Sequence, residues 1–291
     1  MTSQDPGTGA VSVTPLGTFF YSSLQTLLVY WQVDPSVAAQ LVGPGLAPAV
    51  FDGKSLINMN FERYASIGGN FDGMVDEVEF NVVAFPKQLS ASAFQLTTAQ
   101  YLSGGDEAKV YGNYRVMVAC DSEVAVQSGA AKYGENKFLA AFPNYNVPGV
   151  NSPSVTSWTV PCTEPAPSSG TVFTLSVPAM PDIPGMPAIT PSSPISAWAT
   201  LVGADKKTRL VQSGRNVFGV FQTWFRLDQN DVVQPLPAGT ATVTVGTGTE
   251  NPMVPLLRLA FNGAEQCVAI SHFDSAPAAA STHTLLNQPI Q

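Results

Sequence analysis

A lysine that opens an apolar stretch is the residue with the clearest chemical potential in this chain. Lys137 stands in the segment GAAKYGENKFLAAF (129–142) and is followed by Phe138, Leu139 and Ala140. An unprotonated lysine amine attacks a carbonyl carbon, and the iminium that forms draws electrons from a neighbouring C–C or C–H bond. The ordinary pKa of lysine is about 10.4, and burial among apolar side chains lowers it. The pattern predicts either a nucleophilic amine or a structural lysine at the start of a buried strand.

A carboxyl group suited to proton transfer lies in an alternating strand. Within GMVDEVEFNVVAFP (73–86), a period of two places Glu77 and Glu79 on one face, opposite an apolar face. The polar face is either a stripe in contact with solvent or, in a closed barrel, the lining of a chamber where a carboxyl relays protons. Glu62 is a further acidic candidate, with an exposed Glu62 paired with Arg63 as the alternative.

Capping signals place a helix between two early strands. Segments 24–33 and 55–65 are rich in aromatic and branched residues and are predicted to be strands. Between them, Asp34 is a suitable N-cap, Pro35 fits the first helical position and Gly43 is placed to end the helix.

A second helix is predicted just before the lysine. It spans residues 122–128, with Asp121 as its cap and Gly129 as its stop, so Lys137 falls on the loop or strand that follows. Loops held by a rigid scaffold are a common place for chemistry.

Proline marks an unusual middle segment, since residues 143–194 hold twelve of the 24 prolines. Such density argues against regular helix or central strand and predicts a long, partly extended insertion, either a surface or subunit-contact arm or a lid. We also expect a flexible N-terminus over about residues 1–15. Strands are predicted again after the insertion, in SAWATLVGA, KTRLVQ, NVFGVFQTWFRL, TATVTV, LLRLAF and CVAISHF.

Composition limits the class of protein. Charged residues make up 12% and hydrophobic residues 45% of the 291, which allows a sizeable core and predicts one domain over residues 1–291 with a β-barrel or sandwich-like core and helices outside. The formal charge of -8 argues against a nucleic-acid partner. Without a signal-peptide pattern or a long apolar run, we expect a cytoplasmic protein with no membrane partner. The three cysteines and two histidines favour buried thiols, with no metal site and no cofactor.

The lysine segment carries a resemblance to a known family. Its spacing, Gly-x-x-x-Tyr-Gly-x-x-Lys-x-Leu-Ala, resembles the active-lysine segment of the acetoacetate decarboxylase superfamily. Four other segments resemble parts of that family in the same order, namely 29–48, 57–64, 73–86 and 241–257. The resemblance implies a mostly β, α+β fold, a single closed β-barrel or cone flanked by short helices.

The same resemblance implies a set of site residues. Lys137 would be the nucleophile and Glu77 the family's acid, four residues after a glycine. The residues expected to line the substrate site are Gln32, Glu62, Glu79, Tyr133 and Phe138.

Two departures from the family pattern shape the expected reaction. Phe138 stands where acetoacetate decarboxylases carry a second lysine, and Gln32 stands where they carry an arginine. We therefore expect poor turnover of acetoacetate and predict a Schiff-base-forming lyase of aldolase or dehydratase type, acting on a 2-oxo or 3-oxo carbonyl. Its partner would be a small oxo acid or ketone.

Two alternatives to this lyase stay open. One is a decarboxylase of a different β-keto acid, whose carboxylate is held by Arg63, Arg115 or a backbone site. The other is a non-catalytic small-molecule binding protein on the same barrel. The Pro-rich insertion and high apolar fraction further predict a homo-oligomer.

Overall fold

Three long strands, each of twenty residues or more, dominate the fold. The structure is a computed structural model, and it describes residues 13–66, 73–92, 95–104, 110–147, 157–168, 170–180, 186–190, 196–247, 250–262 and 266–290. The fourteen strands of this described part are β1 Val13–Val33, β2 Leu46–Pro48, β3 Ser55–Ser66, β4 Val75–Pro86, β5 Gly112–Cys120, β6 Lys137–Leu139, β7 Trp158–Thr163, β8 Thr171–Val177, β9 Met186–Thr190, β10 Ser196–Val202, β11 Thr208–Leu227, β12 Val233–Gln234, β13 Thr242–Val245 and β14 Cys267–Pro289. The four α-helices within the described ranges are α1 Pro35–Leu41, α2 Thr98–Ser103, α3 Glu123–Ser128 and α4 Met253–Phe261.

Seven strands close into a barrel in the order β4, β3, β1, β14, β11, β10, β5. The ring closes because β5 pairs antiparallel with β4 while its other edge pairs in parallel with β10. The short strands β2, β6, β9 and β12 extend this sheet from β4, β5 and β11. Closure leaves these seven strands with both edges paired, which removes the exposed edges that an open sheet presents. The predicted mostly β, closed-barrel fold with short helices is confirmed.

Both faces of the barrel wall are buried, as β1 illustrates. Leu27, Val29 and Trp31 belong to one apolar core, and Leu28 and Tyr30 on the opposite face belong to another. Alternate residues of a strand point to opposite faces, so one core lies inside the barrel and the other outside it. Each fully buried leucine-sized side chain contributes roughly 1.5–3 kcal/mol, so burial on both faces stabilises the wall.

The outer core is covered by a second, three-stranded sheet in the order β13, β8, β7. Trp158 and Phe173, from the Pro-rich segment 143–194, are fully buried in it. This part of the segment is therefore core and not a surface excursion. Pro161 lies in the edge strand β7, where a missing N–H is tolerated, while the central strand β8 has no proline. Residues 148–156, 169, 181–185 and 191–195 lie outside the described part.

The first helix follows its sequence signals. The Oδ1 atom of Asp34 accepts a hydrogen bond from the backbone N–H of Ser36 at 2.8 Å, and Pro35 is the first helical residue. The helix ends at Leu41, two residues before Gly43.

The second predicted helix begins and ends differently from the prediction. Ser122, not Asp121, caps α3, because its hydroxyl accepts from Ala125 N–H at 3.3 Å. Gly129 does not end the helical segment but begins a π-helical turn that runs to Tyr133. The stop is Gly134, whose φ of 69° places it in the left-handed region.

Two further predictions are settled by the fold. LLRLAF is not a strand but part of α4, because a short apolar run is compatible with either structure and packing selects one. Residues 13–15, predicted to be flexible, belong to β1, and residues 1–12 lie outside the described part.

All three cysteines are buried and unpaired, as predicted. None of the helices in the described ranges has the length and apolarity that crossing a membrane requires.

Candidate active site

The lysine is held where β6 joins the barrel wall. β6 pairs in parallel with β5, with Lys137 opposite Val118. The loop before it is fixed to β5, because Val118 N–H donates to the Asn136 carbonyl at 2.9 Å and the Asn136 amide donates to the Val116 carbonyl at 3.0 Å. Only 7% of the Lys137 side chain is exposed.

Two carboxylates flank the lysine amine. The Nζ atom lies 2.9 Å from Oε2 of Glu135 and 3.1 Å from Oε2 of Glu77. Glu77 also accepts a hydrogen bond from the Tyr64 hydroxyl at 3.2 Å. The amine, Glu135 and Glu77 are all buried, so their mutual attraction is weakly screened by solvent.

This surrounding reverses the expected direction of the lysine pKa. Burial acts to lower the pKa of Lys137, as the sequence predicted, but attraction to Glu135 and Glu77 outweighs it and holds the pKa well above the ordinary value. The prediction of a lowered pKa was therefore wrong. The resting amine is an ammonium ion, and it becomes a nucleophile only after it gives up a proton.

Glu135 joins the lysine to an arginine. Its Oε1 atom accepts a hydrogen bond from Nη1 of Arg115, while its Oε2 atom faces the lysine. Burial acts to raise the pKa of Glu135, but Arg115 and Lys137 together lower it to about 2. Glu135 is therefore a permanent anion at neutral pH.

Behind these groups lies a buried polar network inside the barrel. Arg115 Nε lies 2.6 Å from Oε1 of Glu79, and the Asn60 amide donates to Glu79 at 2.9 Å and to Glu62 at 2.5 Å. The network continues through hydrogen-bonded amides, which are Asn58, Asn81 and Asn113. Hydrogen bonding offsets part of the cost of burying these polar groups.

A pocket of about 360 Å³ opens onto the amine. Lys137, Glu77, Glu135 and Arg115 form its charged part, and Lys132 is also in its lining. Unlike the other four, Lys132 is exposed to solvent.

Aromatic side chains form another part of the pocket wall. Phe19, Tyr21 and Tyr64 pack edge to face, with ring centroids 4.9–5.9 Å apart. Tyr133 and His283 stack with their centroids 3.7 Å apart. The pocket therefore combines charged lining residues with an aromatic wall, which suits a reactive polar centre attached to an apolar group.

Two glycines make room for the lysine loop. A Cβ atom on Gly129 would lie 2.5 Å from Oε2 of Glu135 and 2.9 Å from Cδ of Lys137. A Cβ atom on Gly134 would overlap the carbonyl oxygen of Thr200 on β10. These contacts give a physical reason for the two glycines in the lysine segment.

Three carboxylates are close enough to be considered as metal ligands. Oxygen atoms of Glu62, Glu77 and Glu79 lie within 4.8 Å of one another. The cations Lys137 and Arg115 and the Asn60 amide already contact these carboxylates. These two side-chain cations therefore already balance part of the negative charge of the three carboxylates.

The structure brings together some of the predicted residues and separates others. Lys137, Glu77 and Tyr133 line the pocket, and Glu62 and Glu79 lie behind it in the buried polar network. The solvent-facing alternatives for the glutamates are wrong, because the exposed fractions of Glu62, Glu77 and Glu79 are 0%, 3% and 1%.

Two predicted substrate contacts lie elsewhere. Gln32 is buried in β1 beside Leu56 and is not in the pocket lining. Phe138 points to the opposite side from Lys137 and packs against the outer core, because neighbouring strand residues alternate in direction.

Sequence reasoning missed several pocket residues with ionisable side chains, among them Tyr64, Glu135 and His283. The low charge content made an acid two positions before the lysine conspicuous, and this was the signal available for Glu135. His283 comes from β14, and nothing local to its segment points to the pocket.

Structural comparison identifies similar folds. No protein-family model matches the chain, and no curated protein matches it in sequence. The enduracididine biosynthesis enzyme MppR, complexed with the condensation product of pyruvate and imidazole 4-carboxaldehyde, aligns at a TM-score of 0.55 and 14% identity, covering 96% of this chain and 90% of that one.

Two similar structures carry the name of the decarboxylase. Acetoacetate decarboxylase from Legionella pneumophila aligns at a TM-score of 0.54 and 12% identity over 91% of this chain and 84% of its own. An acetoacetate decarboxylase-like enzyme from Sphingomonas wittichii aligns at a TM-score of 0.53 and 14% identity, covering 92% of this chain and 90% of that one. The chain thus has the fold of the acetoacetate decarboxylase-like structures, as a divergent example of it.

Proposed function

We propose that the protein is a Schiff-base-forming lyase in which Lys137 attacks a carbonyl substrate and Glu77 moves the protons. One observation carries this proposal: a lysine amine with 7% side-chain exposure faces a pocket while two carboxylates contact it at 3.1 Å and 2.9 Å. A lysine that served only to begin a strand would not need to open onto a pocket.

The first step is a proton transfer within the site. The ammonium of Lys137 passes a proton to Glu77, which converts an ion pair into a neutral amine and a neutral acid. A bound substrate favours this transfer by displacing water, because the neutral pair is stabilised relative to the ion pair in a dry pocket.

The covalent step then follows from ordinary amine chemistry. The Nζ lone pair adds to the carbonyl carbon, and the carbonyl oxygen takes a proton from that nitrogen to become a hydroxyl. That hydroxyl leaves as water with the proton held by Glu77, so that an iminium and a carboxylate remain. Tyr64 orients Glu77 through its hydrogen bond of 3.2 Å.

Aldol or dehydration chemistry is favoured over decarboxylation. Decarboxylation needs a group that holds the substrate carboxylate, and Arg63 and Arg115 were the candidates. Arg115 is committed to Glu79 and Glu135, and Arg63 lies near Asp76, with Nε and Oδ1 3.7 Å apart. The condensation product bound to MppR, a protein of the same fold, supports the same class of reaction.

Reductive trapping tests this function. The native protein, incubated with small ketones and aldehydes and then with cyanoborohydride, should gain the mass of the carbonyl compound less one oxygen, on the peptide that contains Lys137. Lys137→Ala and Lys137→Arg should show no gain, because neither side chain offers a neutral amine.

Lys132→Ala is the matched control, since Lys132 lines the same pocket but is exposed. It should keep the adduct. An adduct that persists in Lys137→Ala would assign the chemistry to another lysine. No adduct with any carbonyl compound would favour a non-catalytic binding protein.

A further inference from the structure

The charged groups around the lysine are unbalanced toward the negative side. Four buried carboxylates, Glu62, Glu77, Glu79 and Glu135, share the barrel interior with two cations, Lys137 and Arg115. Their formal sum is therefore -2 if all are ionised. Adding another anion to a site of this kind costs several kcal/mol, because each charge has already lost most of its hydration.

Glu135 pairs with both cations and so makes them less available to a ligand carboxylate. One of its oxygens contacts Arg115 and the other contacts Lys137. Arg115 has Glu79 as a second partner at 2.6 Å, so its guanidinium is held on both sides even though it reaches the pocket lining. A substrate carboxylate would have to displace an acid already in place.

The exposed lysine at the pocket does not change this balance. Lys132 is the one pocket-lining cation, among the residues described, that lies in solvent. An exposed charge is screened by water and contributes about 1 kcal/mol or less to an ion pair. It is too weak to offset the repulsion from buried acids.

We infer that the site takes an uncharged aldehyde or ketone with an apolar or aromatic group, in preference to an oxo acid, and that Glu135 sets this preference. The inference rests on the proposed function and names its substrate class. The reactive carbonyl meets Lys137, and the apolar group contacts the wall formed by Phe19, Tyr21 and Tyr64. The iminium keeps the single positive charge that Glu77 and Glu135 already surround.

Two matched pairs of probes test the substrate class. Acetone and pyruvate, and benzylacetone and benzylpyruvate, differ within each pair only by a methyl group in place of a carboxylate. The rate of adduct trapping with cyanoborohydride is measured for each probe. The ketone-to-acid ratio is then divided by the same ratio for Nα-acetyl-lysine, which removes the intrinsic difference in reactivity.

The native protein should favour the uncharged member of each pair by about tenfold or more after this correction. Glu135→Gln should lower that ratio by about tenfold, because the amide keeps the shape but leaves Arg115 available to a carboxylate. Glu123→Gln removes the same charge from an exposed position on α3 outside the pocket lining, and it should leave the ratio unchanged.

The outcomes separate the two proposals. A corrected ratio in favour of the oxo acids overturns the substrate class while the Schiff-base function stands. An unchanged ratio in Glu135→Gln, or an equal fall in Glu123→Gln, overturns the role of Glu135. If Glu135→Gln does not fold, the native ratios decide the substrate class alone. The absence of any adduct overturns the proposed function and this inference together.

Discussion

The Nζ atom of Lys137 lies 3.1 Å from Oε2 of Glu77, although 60 residues separate them in the chain. β4 supplies the acid, β6 supplies the amine, and β5 lies between the two strands in the sheet. Because the pair is buried, attraction to the Glu77 carboxylate acts to raise the pKa of Lys137. The proton that must leave the amine has an acceptor already in contact with it.

Replacing Glu77 should separate proton transfer from nucleophile activation. Attraction to Glu77 raises the pKa of Lys137, so Glu77→Gln should lower that pKa. Adduct formation, which needs the free amine, should then begin to rise at a lower pH than in the native protein. Turnover should fall by about 10²–10⁴, since the proton carrier is lost. Trapping rates and steady-state rates across a pH series check both effects.

The control for that prediction is Glu123→Gln, which should leave both profiles in place. A pH profile of trapping that does not move in Glu77→Gln would show that Glu135 alone governs the amine.

The pH dependence of the free energy of unfolding should reveal the protonation of Glu135. Its pKa is about 2 in the folded protein against an ordinary 4.5, so this carboxylate binds protons more readily when the chain is unfolded. Its contribution to stability is therefore complete above about pH 4.5 and is lost as pH falls toward 2, with a magnitude of about 3 kcal/mol. Urea unfolding of the native protein and Glu135→Gln should show a difference that shrinks through this window. A difference independent of pH would contradict the prediction.

Asp76 should have the opposite effect on how stability changes with pH. Burial, with a smaller contribution from the nearby Asp121, raises the pKa of Asp76 to about 6 against the attraction of Arg63. A raised pKa means that the folded state holds the proton more tightly. Stability is then greatest below about pH 4 and falls as pH rises to about 6, by about 2–3 kcal/mol.

Asp76→Asn removes this titration, so the variant should lose less stability than the native protein between pH 4 and 6. Paired urea unfolding curves at the two pH values give the measurement. Parallel losses in both proteins would show that Asp76 does not titrate in this range.

The lysine loop should depend strongly on Gly134. Its φ is 69°, and a Cβ atom there would overlap the Thr200 carbonyl of β10, so Gly134→Ala should cost roughly 3 kcal/mol or more and reduce trapping at Lys137. Gly53 has a similar φ of 80° but no heavy atom within 4 Å of its added Cβ. Gly53→Ala should cost only the strain of the left-handed region, about 1–2 kcal/mol. Equal losses in thermal unfolding would show that the contact with β10 is unimportant.

Local chemistry in the sequence predicted those elements whose signals lie within a few residues. Asp34 and Pro35 define the start of α1 by capping alone, and the alternation around Glu77 defines β4. Lys137 was found in the same way, from its own segment. In each case the determining interactions are between neighbours in the chain, so they can be inferred without a tertiary structure.

The tertiary structure alone decided the charge state and the shape of the site. Burial was expected to lower the pKa of Lys137, but attraction to Glu135 and Glu77 raises that pKa instead. Gln32 and Phe138 were assigned to the site by resemblance, yet strand direction and register place them outside the pocket.

The sequence by itself determined a β-rich chain with a lysine at the start of an apolar strand and an acid in an alternating one. Closure of seven strands decided that the acid faces inward, that it meets the lysine, and that Arg115 is taken up by other acids. The reason is physical: periodicity and capping act over a few residues, whereas electrostatic energies depend on distances between atoms that only the closed barrel brings together.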